Sequence, residues 1–224
     1  MGGPPENGGA DCSIFGGSSR NGIRRDKTGL HSRPGRMRHG RHGLIERREG
    51  SKLRAMAALP NSASISVEDY LNTPYEPDVE FVDGILVERN RGDWLHSLIQ
   101  SNVLFALRRK YPHLKVVAEL RSSVTSTRYR LPDVCVLLAA PKTKYLLDAA
   151  FLVVEVLSEG DVMSVVIEKL KEYAKKDVPN IWLIDPRLQL LYTYRPPTLV
   201  EIEGEIISTA DGSVEVSRSE IFAE

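Results

Sequence analysis

A single glutamate interrupts one of the most apolar stretches of the chain, FLVVEVLS, which runs from Phe151 to Ser158. A strand that is apolar on both faces is typical of the centre of a sheet that is covered on both sides. An ionised carboxylate at Glu155 would cost several kcal/mol there unless it were paired or bound to a cation. The structural interpretations are an ion pair with lysine or arginine, or a place at the solvated end of the strand. The functional interpretation is a cation site.

A second carboxylate, Asp133, follows a proline and opens another apolar run, DVCVLL. A Pro-Asp pair alone is common in turns and indicates little. Asp133 and Glu155 are 22 residues apart, however, and are predicted on separate strands that can be neighbours. Two carboxylates that converge from adjacent strands suit Mg²⁺, a hard cation that takes oxygen ligands, often one or two carboxylates with waters.

A lysine, Lys169, is the third candidate for chemistry. The segment DVMSVVIEKLKEYAKK is predicted to form a helix over about residues 161–176, and Lys169 falls within its apolar stripe. That stripe comprises Val162, Val165, Val166, Leu170 and Tyr173. The structural interpretation is a lysine that buries its stem and turns its charge outward. The functional interpretation, favoured beside the two acids, is an ammonium aimed at the carboxylates, where it would stabilise developing negative charge.

Local signals predict the elements that must position these residues. Ser66 is predicted to cap a short helix, SVEDYL, and Asp93 a long one, WLHSLIQSNVLFALRRKY. Between them, VEFVDGILVER is predicted to form a β-hairpin that turns at Asp83-Gly84. The expected apolar face of the long helix comprises Trp94, Leu95, Leu98, Ile99, Phe105 and Ala106.

The second half of the chain is rich in predicted strands. They cover residues 115–120, 133–138, 151–157, 180–185 and 190–195, with hairpin-like pieces around Gly204 and Asp211-Gly212. Strands that precede and follow a helix predict an α/β fold with a central mixed sheet flanked by helices and an N-terminal hairpin.

The chain divides by composition into a tail, residues 1–60, and a domain, residues 61–224. The tail is rich in Gly, Arg and Ser without apolar periodicity, so it is predicted to be disordered. It is either a basic arm for a phosphate backbone or an extension upstream of a start at Met56, and the lack of the aromatic platforms that single-strand binders use favours the second interpretation. Residues 1–55 carry 12 Lys/Arg and 5 Asp/Glu, a charge of +7, which leaves −7 for the rest of this neutral chain.

The composition excludes several other classes of protein. No apolar run reaches 18 residues, so no transmembrane helix and no membrane partner are expected. The N-terminus lacks the apolar core of a secretory signal. Two cysteines, Cys12 and Cys135, without a CxxC motif predict neither a disulfide framework nor a zinc site. A reduced, cytoplasmic location is therefore expected.

Three strings together carry a resemblance to a known family: RLPDV, VVEVLS and EKLKEYAKKDVPNIWLIDP. Between about Ser66 and Tyr194 the chain resembles the Uma-type family of bacterial endonucleases, within the PD-(D/E)XK restriction-endonuclease-like superfamily. The resemblance implies a restriction-endonuclease-like core and hydrolysis of phosphodiesters with Mg²⁺, Mn²⁺ being an alternative ion. Asp133 and Glu155 match the metal-binding acids of that superfamily.

The sequence departs from the superfamily pattern at the lysine. The (D/E)XK lysine would stand at position 157, which is leucine, and the resemblance implies that Lys169 of the following helix replaces it. By the same match, Glu80 and Glu119 are further acidic candidates, although Glu119 is equally well explained as a surface residue. His96 is interpreted as a partly buried, satisfied histidine in preference to a general base.

The expected function is Mg²⁺-dependent endonuclease cleavage of DNA, with Asp133 and Glu155 as metal ligands and Lys169 stabilising charge. The acidic domain predicts weak, salt-sensitive DNA binding unless a homodimer or the basic tail strengthens it. A catalytically degenerate nuclease-like fold, acting as a nucleic-acid-binding or assembly module, is the alternative from another class. Hydrolysis of a small phosphoester is a third possibility that the sequence leaves open.

Overall fold

Four helices and twelve strands form the part of the chain that the computed structural model describes, residues 64–90 and 92–224. The predicted tail, residues 1–60, lies outside these residues. The helices are α1 (Val67–Asn72), α2 (Trp94–Lys110), α3 (Met163–Lys175) and α4 (Arg218–Ile221). The strands are β1 (Glu80–Val82), β2 (Ile85–Val87), β3 (Lys115–Ala118), β4 (Ser122–Thr125), β5 (Arg128–Arg130), β6 (Val134–Leu137), β7 (Leu152–Val156), β8 (Asn180–Asp185), β9 (Leu190–Arg195), β10 (Thr198–Glu201), β11 (Ile206–Ser208) and β12 (Glu215–Ser217).

The main sheet has six strands in the order β10-β9-β8-β7-β6-β3. Strands β7 and β8 are parallel and are joined through α3, whereas the other neighbours are antiparallel. This confirms the predicted α/β fold with a central mixed sheet. Strand β7, which carries Glu155, lies in the interior of the sheet with neighbours on both sides.

Both faces of the main sheet are buried, which explains the nearly continuous apolar sequence of its central strands. On one face, Val134, Val154 and Trp182 pack with residues of α2 in one hydrophobic cluster. On the other face, Cys135 and Val153 share a second cluster with residues of α3. Glu155 alternates with Val154 and Val156 along β7, so it lies on the α3 face.

A second sheet of four strands, in the order β2-β1-β5-β4, stands beside the first. The predicted hairpin is confirmed: β1 pairs with β2, and Asp83 (φ 50°) and Gly84 (φ 90°) form its turn. Positive φ at both central residues is what the tight hairpin turn requires. The other two strands, β4 and β5, were not predicted, because their sequence is short and polar.

The caps were predicted more accurately than the buried faces. Ser66 caps α1 and Asp93 caps α2, as expected. The predicted apolar face of α2 is only partly buried: Ile99 and Ala106 are buried, but Trp94 is 78% exposed and Phe105 is 64% exposed. The buried residues of α2 are His96, Ile99, Val103, Ala106 and Leu107. Helix α2 carries apolar residues on more than one side, so periodicity alone could not choose the side that packs on the sheet.

The stripe predicted on α3 is only partly buried. Val166, Leu170 and Tyr173 are buried, whereas Val162 and Val165 are exposed near the start of the helix. At the C-terminal end, the turn at Asp211-Gly212 joins β11 to β12 as predicted. The expected hairpin around Gly204 is wrong, because β10 pairs with β9 instead.

No helix in residues 64–90 and 92–224 is long and apolar enough to cross a membrane.

Candidate active site

The two candidate acids lie opposite each other on neighbouring strands. Val134 pairs with Val154, and the same antiparallel register, continued by one residue, places Asp133 across from Glu155. Residues that face each other across such a pair project from the same side of the sheet. Both side chains are buried, at 2% exposure for Asp133 and 6% for Glu155. The fold therefore brings together two carboxylates that are distant in sequence.

Asp133 accepts hydrogen bonds from three directions. Its Oδ1 accepts from Nη2 of Arg89 at 2.5 Å, and its Oδ2 accepts from the main-chain N–H of Val156 at 2.7 Å. Nε2 of His96 lies 3.3 Å from Oδ2. Burial alone would raise the pKa of Asp133, but the hydrogen bond and charge of His96 and the charge of Arg89 outweigh burial and lower that pKa. Asp133 is therefore held as a carboxylate.

Glu155 has fewer partners. Its Oε2 accepts from Nζ of Lys169 at 2.9 Å, and its Oε1 accepts from the hydroxyl of Tyr173 at 2.6 Å. Burial is the main cause that raises the pKa of Glu155 to about 7, with the charges of Asp133 and Glu80 acting in the same direction and Lys169 opposing them. Near neutral pH the charge of Glu155 therefore depends on what cation is beside it.

Lys169 points into the protein at two carboxylates. Its Nζ lies 2.9 Å from Oε2 of Glu155 and 2.9 Å from Oε1 of Glu80, and its side chain is only 16% exposed. Burial would lower the pKa of Lys169, but the charges of Glu155 and Glu80 outweigh it and raise that pKa above its usual range. Lys169 stands one turn of α3 from Val166 and Tyr173, which explains why an ammonium lies on a packed face.

Glu80 joins the two acids to a second layer of ion pairs. Besides Lys169, it accepts from Nη1 of Arg130 at 2.7 Å and from the N–H of Leu131 at 3.2 Å. Nε of Arg130 in turn donates to Oε2 of Glu172 on α3 at 2.6 Å. Arg130 itself is buried. These contacts tie β1 and β5 of the second sheet to α3.

The remaining two predicted candidates contact the site from its edge. Glu119 has a half-exposed side chain, lies just after β3 with φ 51°, and pairs with Nη1 of Arg89 at 3.1 Å. His96 is buried beside Asp133, but its Nδ1 has no hydrogen-bond partner among the described residues. A Cβ atom at Gly92 would lie 2.6 Å from that nitrogen, so a larger residue there would have to displace His96.

Sequence reasoning did not find Arg89. It lies in the irregular segment between β2 and α2, where the sequence ERNRGD offers two arginines with no periodicity to separate them. Tyr173 was predicted only as part of an apolar stripe, since a tyrosine on a buried helix face is usually a core residue. Its hydrogen bond to Glu155 has no signal in the sequence.

The donor atoms at the site fit a divalent ion that prefers oxygen. Asp133 and Glu155 supply carboxylate oxygens, which are the ligands that Mg²⁺ takes in proteins. Charge repulsion between the acids helps to raise the pKa of Glu155, and a divalent cation would relieve that repulsion. Within residues 64–90 and 92–224, no group of three or more His, Cys, Asp or Glu side chains is arranged to hold a metal.

The basic surface expected for DNA is largely paired internally. Arg109 and Lys110 contact Glu220 at 2.9 and 3.2 Å, and Arg128 contacts Glu172 at 2.6 Å and also pairs with Asp83. Arg130 is paired with Glu80 and Glu172, whereas Arg108 has no such partner in the described part of the chain. Few of these cations are therefore free to contact a phosphate backbone.

Comparison with known proteins identifies a family and solved structures that align with this chain. Residues 67–219 match the Uma2 family model, described as "Putative restriction endonuclease". The crystal structure of "a putative nuclease belonging to DUF820" from Anabaena variabilis ATCC 29413 aligns with a TM-score of 0.62 at 20% identity, over 71% of this chain and 98% of that one. A cryo-electron-microscopy structure of a DrdV–DNA complex aligns with a TM-score of 0.27 at 12% identity, over 57% of this chain and 87% of that one. No curated protein matches the sequence.

Proposed function

The chain belongs to the Uma2 family, and on that premise we propose that it is a Mg²⁺-dependent endonuclease that hydrolyses phosphodiester bonds in DNA. The observation that supports this most is the placement of two buried carboxylates, Asp133 and Glu155, across adjacent strands with the Lys169 ammonium 2.9 Å from one of them. A core that only needed stability would gain from apolar residues at these positions.

Asp133 and Glu155 would hold the ion. When bound, Mg²⁺ would polarise a phosphoryl oxygen and favour ionisation of a water molecule; Mn²⁺ would serve in its place. The N–H of Val156 fixes the orientation of the Asp133 carboxylate, and the hydroxyl of Tyr173 fixes that of Glu155. Both acids can therefore meet an incoming ion without first reorienting.

Lys169 would stabilise the negative charge that develops on the phosphate during displacement. Its second contact, with Glu80, keeps the amine protonated and holds it at the site when Glu155 binds a metal ion. On this proposal, a cation from α3 takes the role that the superfamily pattern gives to a lysine on the strand, where this chain has Leu157.

DNA binding is expected to be weak and to fall steeply with salt. Residues 56–224 carry a net charge of −7, and most of the candidate arginines and lysines are paired with acids. A homodimer, or the basic tail of residues 1–60, would supply further phosphate contacts.

A catalytically degenerate member of the family, acting as a nucleic-acid-binding or assembly module, is the second candidate. The observation that favours it is that both acids already have cationic partners, Arg89 for Asp133 and Lys169 for Glu155. Such pairs could serve structure alone.

Plasmid cleavage separates the two candidates. The full chain should nick or linearise supercoiled DNA with Mg²⁺ or Mn²⁺ but not with EDTA, and the ion should raise the melting temperature. Asp133→Asn should lose both effects, whereas Arg109→Ala, which removes a charge at the far end of α2, should keep the rise in melting temperature. A wild-type protein that neither cleaves nor responds to either ion would contradict the nuclease proposal.

A further inference from the structure

The two oxygens of Asp133 are held by partners of different mobility. Oδ2 accepts from the main-chain N–H of Val156, which belongs to β7 and cannot withdraw without opening the sheet. Oδ1 accepts from Arg89 at 2.5 Å, a long side chain on the irregular segment that precedes α2. An ion that binds Asp133 through Oδ1 therefore competes with the Arg89 guanidinium for that oxygen.

Arg89 has a second contact toward solvent. Its Nη1 lies 3.1 Å from Oε1 of Glu119, whose side chain is 52% exposed, while the Arg89 side chain itself is 20% exposed. The guanidinium thus bridges a fully buried carboxylate and one at the rim of the site. If it leaves Asp133, its contact with Glu119 keeps it close by, at the exposed rim of the site.

We propose that Arg89 occupies the cation position at Asp133 until a divalent ion displaces it, and that it then binds a phosphate of the nucleic acid. This inference rests on the proposed metal-dependent function. A guanidinium and a divalent cation repel each other strongly at one buried carboxylate, so the two occupants exclude one another. A guanidinium also presents paired N–H groups that match a phosphate, which makes it suited to the second position.

Replacement of Arg89 by a divalent ion explains why an arginine pairs with Asp133, a proposed metal ligand. Without a cation, Asp133 would be a buried, uncompensated charge, and the fold would lose stability. With Arg89 in place, the acid stays ionised and oriented for the ion. After displacement, the same positive charge becomes available to substrate, so phosphate binding by Arg89 follows metal binding.

Metal affinity tests the first half of the inference without recourse to activity. Titration calorimetry with Mn²⁺ alone would compare the wild-type chain with Arg89→Ala, Arg89→Gln and the control Arg109→Ala, whose side chain also pairs with a glutamate. Both Arg89 variants should bind Mn²⁺ about tenfold more tightly, the change expected from removing one charge-assisted contact. Arg109→Ala should bind like wild type. Arg89→Gln keeps a hydrogen-bond donor beside Asp133, should Arg89→Ala fail to fold.

DNA affinity tests the second half. A short duplex would be titrated by fluorescence anisotropy in EDTA and in Ca²⁺, another hard cation for oxygen ligands. Arg89→Gln should weaken binding only in Ca²⁺, by several-fold, and should reduce the salt slope by about one phosphate contact. An equal effect in EDTA and in Ca²⁺ would overturn the transfer to phosphate.

The outcomes distinguish this inference from the function on which it rests. If neither the wild-type chain nor the Arg89 variants bind Mn²⁺, the metal-dependent function fails. If wild type binds Mn²⁺, Asp133→Asn does not, and Arg89→Gln binds no more tightly than wild type, then Arg89 is a structural ion-pair partner and the inference is overturned while the proposed function stands.

Discussion

The Asp133 side and the Glu155 side of the site have nearly equal burial but opposite electrostatics. Asp133 receives a main-chain N–H, a guanidinium and a histidine, and its pKa is lowered. Glu155 receives one ammonium, shared with Glu80, and one phenol, and its pKa is raised to about 7. The comparison teaches that burial alone does not set the charge of an acid. The hydrogen-bond donors and cations that the fold supplies decide that charge. Asp133 therefore stays ionised, whereas the ionisation of Glu155 depends on pH and on the cation beside it.

Neutralising each acid in turn gives the largest expected effects. Asp133→Asn and Glu155→Gln should each lower cleavage at least a thousandfold, because two-ligand metal binding is lost in both. Their effects on stability should differ. Asp133→Asn removes the buried anion that Arg89 and His96 contact and should cost about 2–4 kcal/mol in the free energy of unfolding. Glu155→Gln removes a carboxylate whose ionisation is disfavoured by burial, so it should lower the free energy of unfolding by less than about 1 kcal/mol at pH 8.

Urea unfolding in EDTA, together with the plasmid assay, measures both effects. Arg195→Gln, on the exposed end of β9, is a matched control that should change neither. Equal destabilisation by the two variants would show that the two sides of the site do not differ as described.

Replacing Lys169 comes next in size. Lys169→Met keeps the packed stem but removes the cation that partly offsets the raised pKa of Glu155. Cleavage should fall about a hundredfold or more, as expected for a group that stabilises transition-state charge. Lys171 lies two residues further along α3 and pairs with Glu168, so the control Lys171→Met should cleave normally. Single-turnover cleavage rates check the prediction, and a fall seen only in DNA affinity would argue against a role in the chemical step.

The pH dependence of stability should show the effect of the raised pKa of Glu155. Between its ordinary value of 4.5 and about 7, folded Glu155 holds a proton that the unfolded chain releases, so its contribution to stability falls as pH rises through that window. Asp133 and Glu80, whose pKa values are lowered, contribute stability that is lost only as pH falls toward their folded values. Burial opposes a rise in the pKa of His96, but Asp133 favours the charged imidazole and raises that pKa above its ordinary value of 6.5. The contribution of His96 to stability therefore also declines as pH rises.

Urea unfolding at pH 5, 6, 7 and 8 in EDTA would test this. Wild type should lose roughly 1–3 kcal/mol across the range, and Glu155→Gln should lose clearly less. His96→Gln separates the histidine contribution. A wild-type profile that rises from pH 5 to 8 would contradict the raised pKa of Glu155.

The smallest effect is expected at Tyr173. Tyr173→Phe removes a 2.6 Å hydrogen bond to Glu155 but keeps the ring in the core, so stability should fall by about 0.5–1.5 kcal/mol. The same change should raise the pKa of Glu155 further, since this bond favours its ionised form. Mn²⁺ affinity below pH 7 should therefore weaken a few-fold. Tyr192→Phe, a partly buried tyrosine on β9, serves as the control.

Local and periodic signals predicted most of the main sheet. Caps at Ser66 and Asp93, the Asp83-Gly84 turn and the apolar runs of β6 to β8 are encoded within a few residues of each element. The exposed Trp94 and Phe105 were assigned to the core because α2 is apolar on more than one side. Strands β4 and β5 were missed because ion pairs and partner strands, rather than an apolar alternation, hold them in place.

The same contrast holds at the site. Glu155 and Asp133 could be singled out because a carboxylate in an apolar strand has few explanations, and Lys169 because it interrupts a helical stripe. Arg89 could not, since it lies on an irregular segment and its role comes from a contact 44 residues away in the chain. A residue whose importance arises only from the tertiary arrangement leaves no pattern in its neighbours.

The hydrogen bond from the Val156 amide to Asp133 makes one peptide group common to the candidate site and the strand ladder. Where the regular pairing of β6 with β7 stops, the carbonyl of Pro132 accepts from the N–H of Glu119, and the Asp133 carboxylate is the acceptor for the Val156 amide. That amide is thus a built-in reporter. Its proton resonance and its solvent-exchange rate would register occupancy of the Asp133 carboxylate by an ion, with no label introduced.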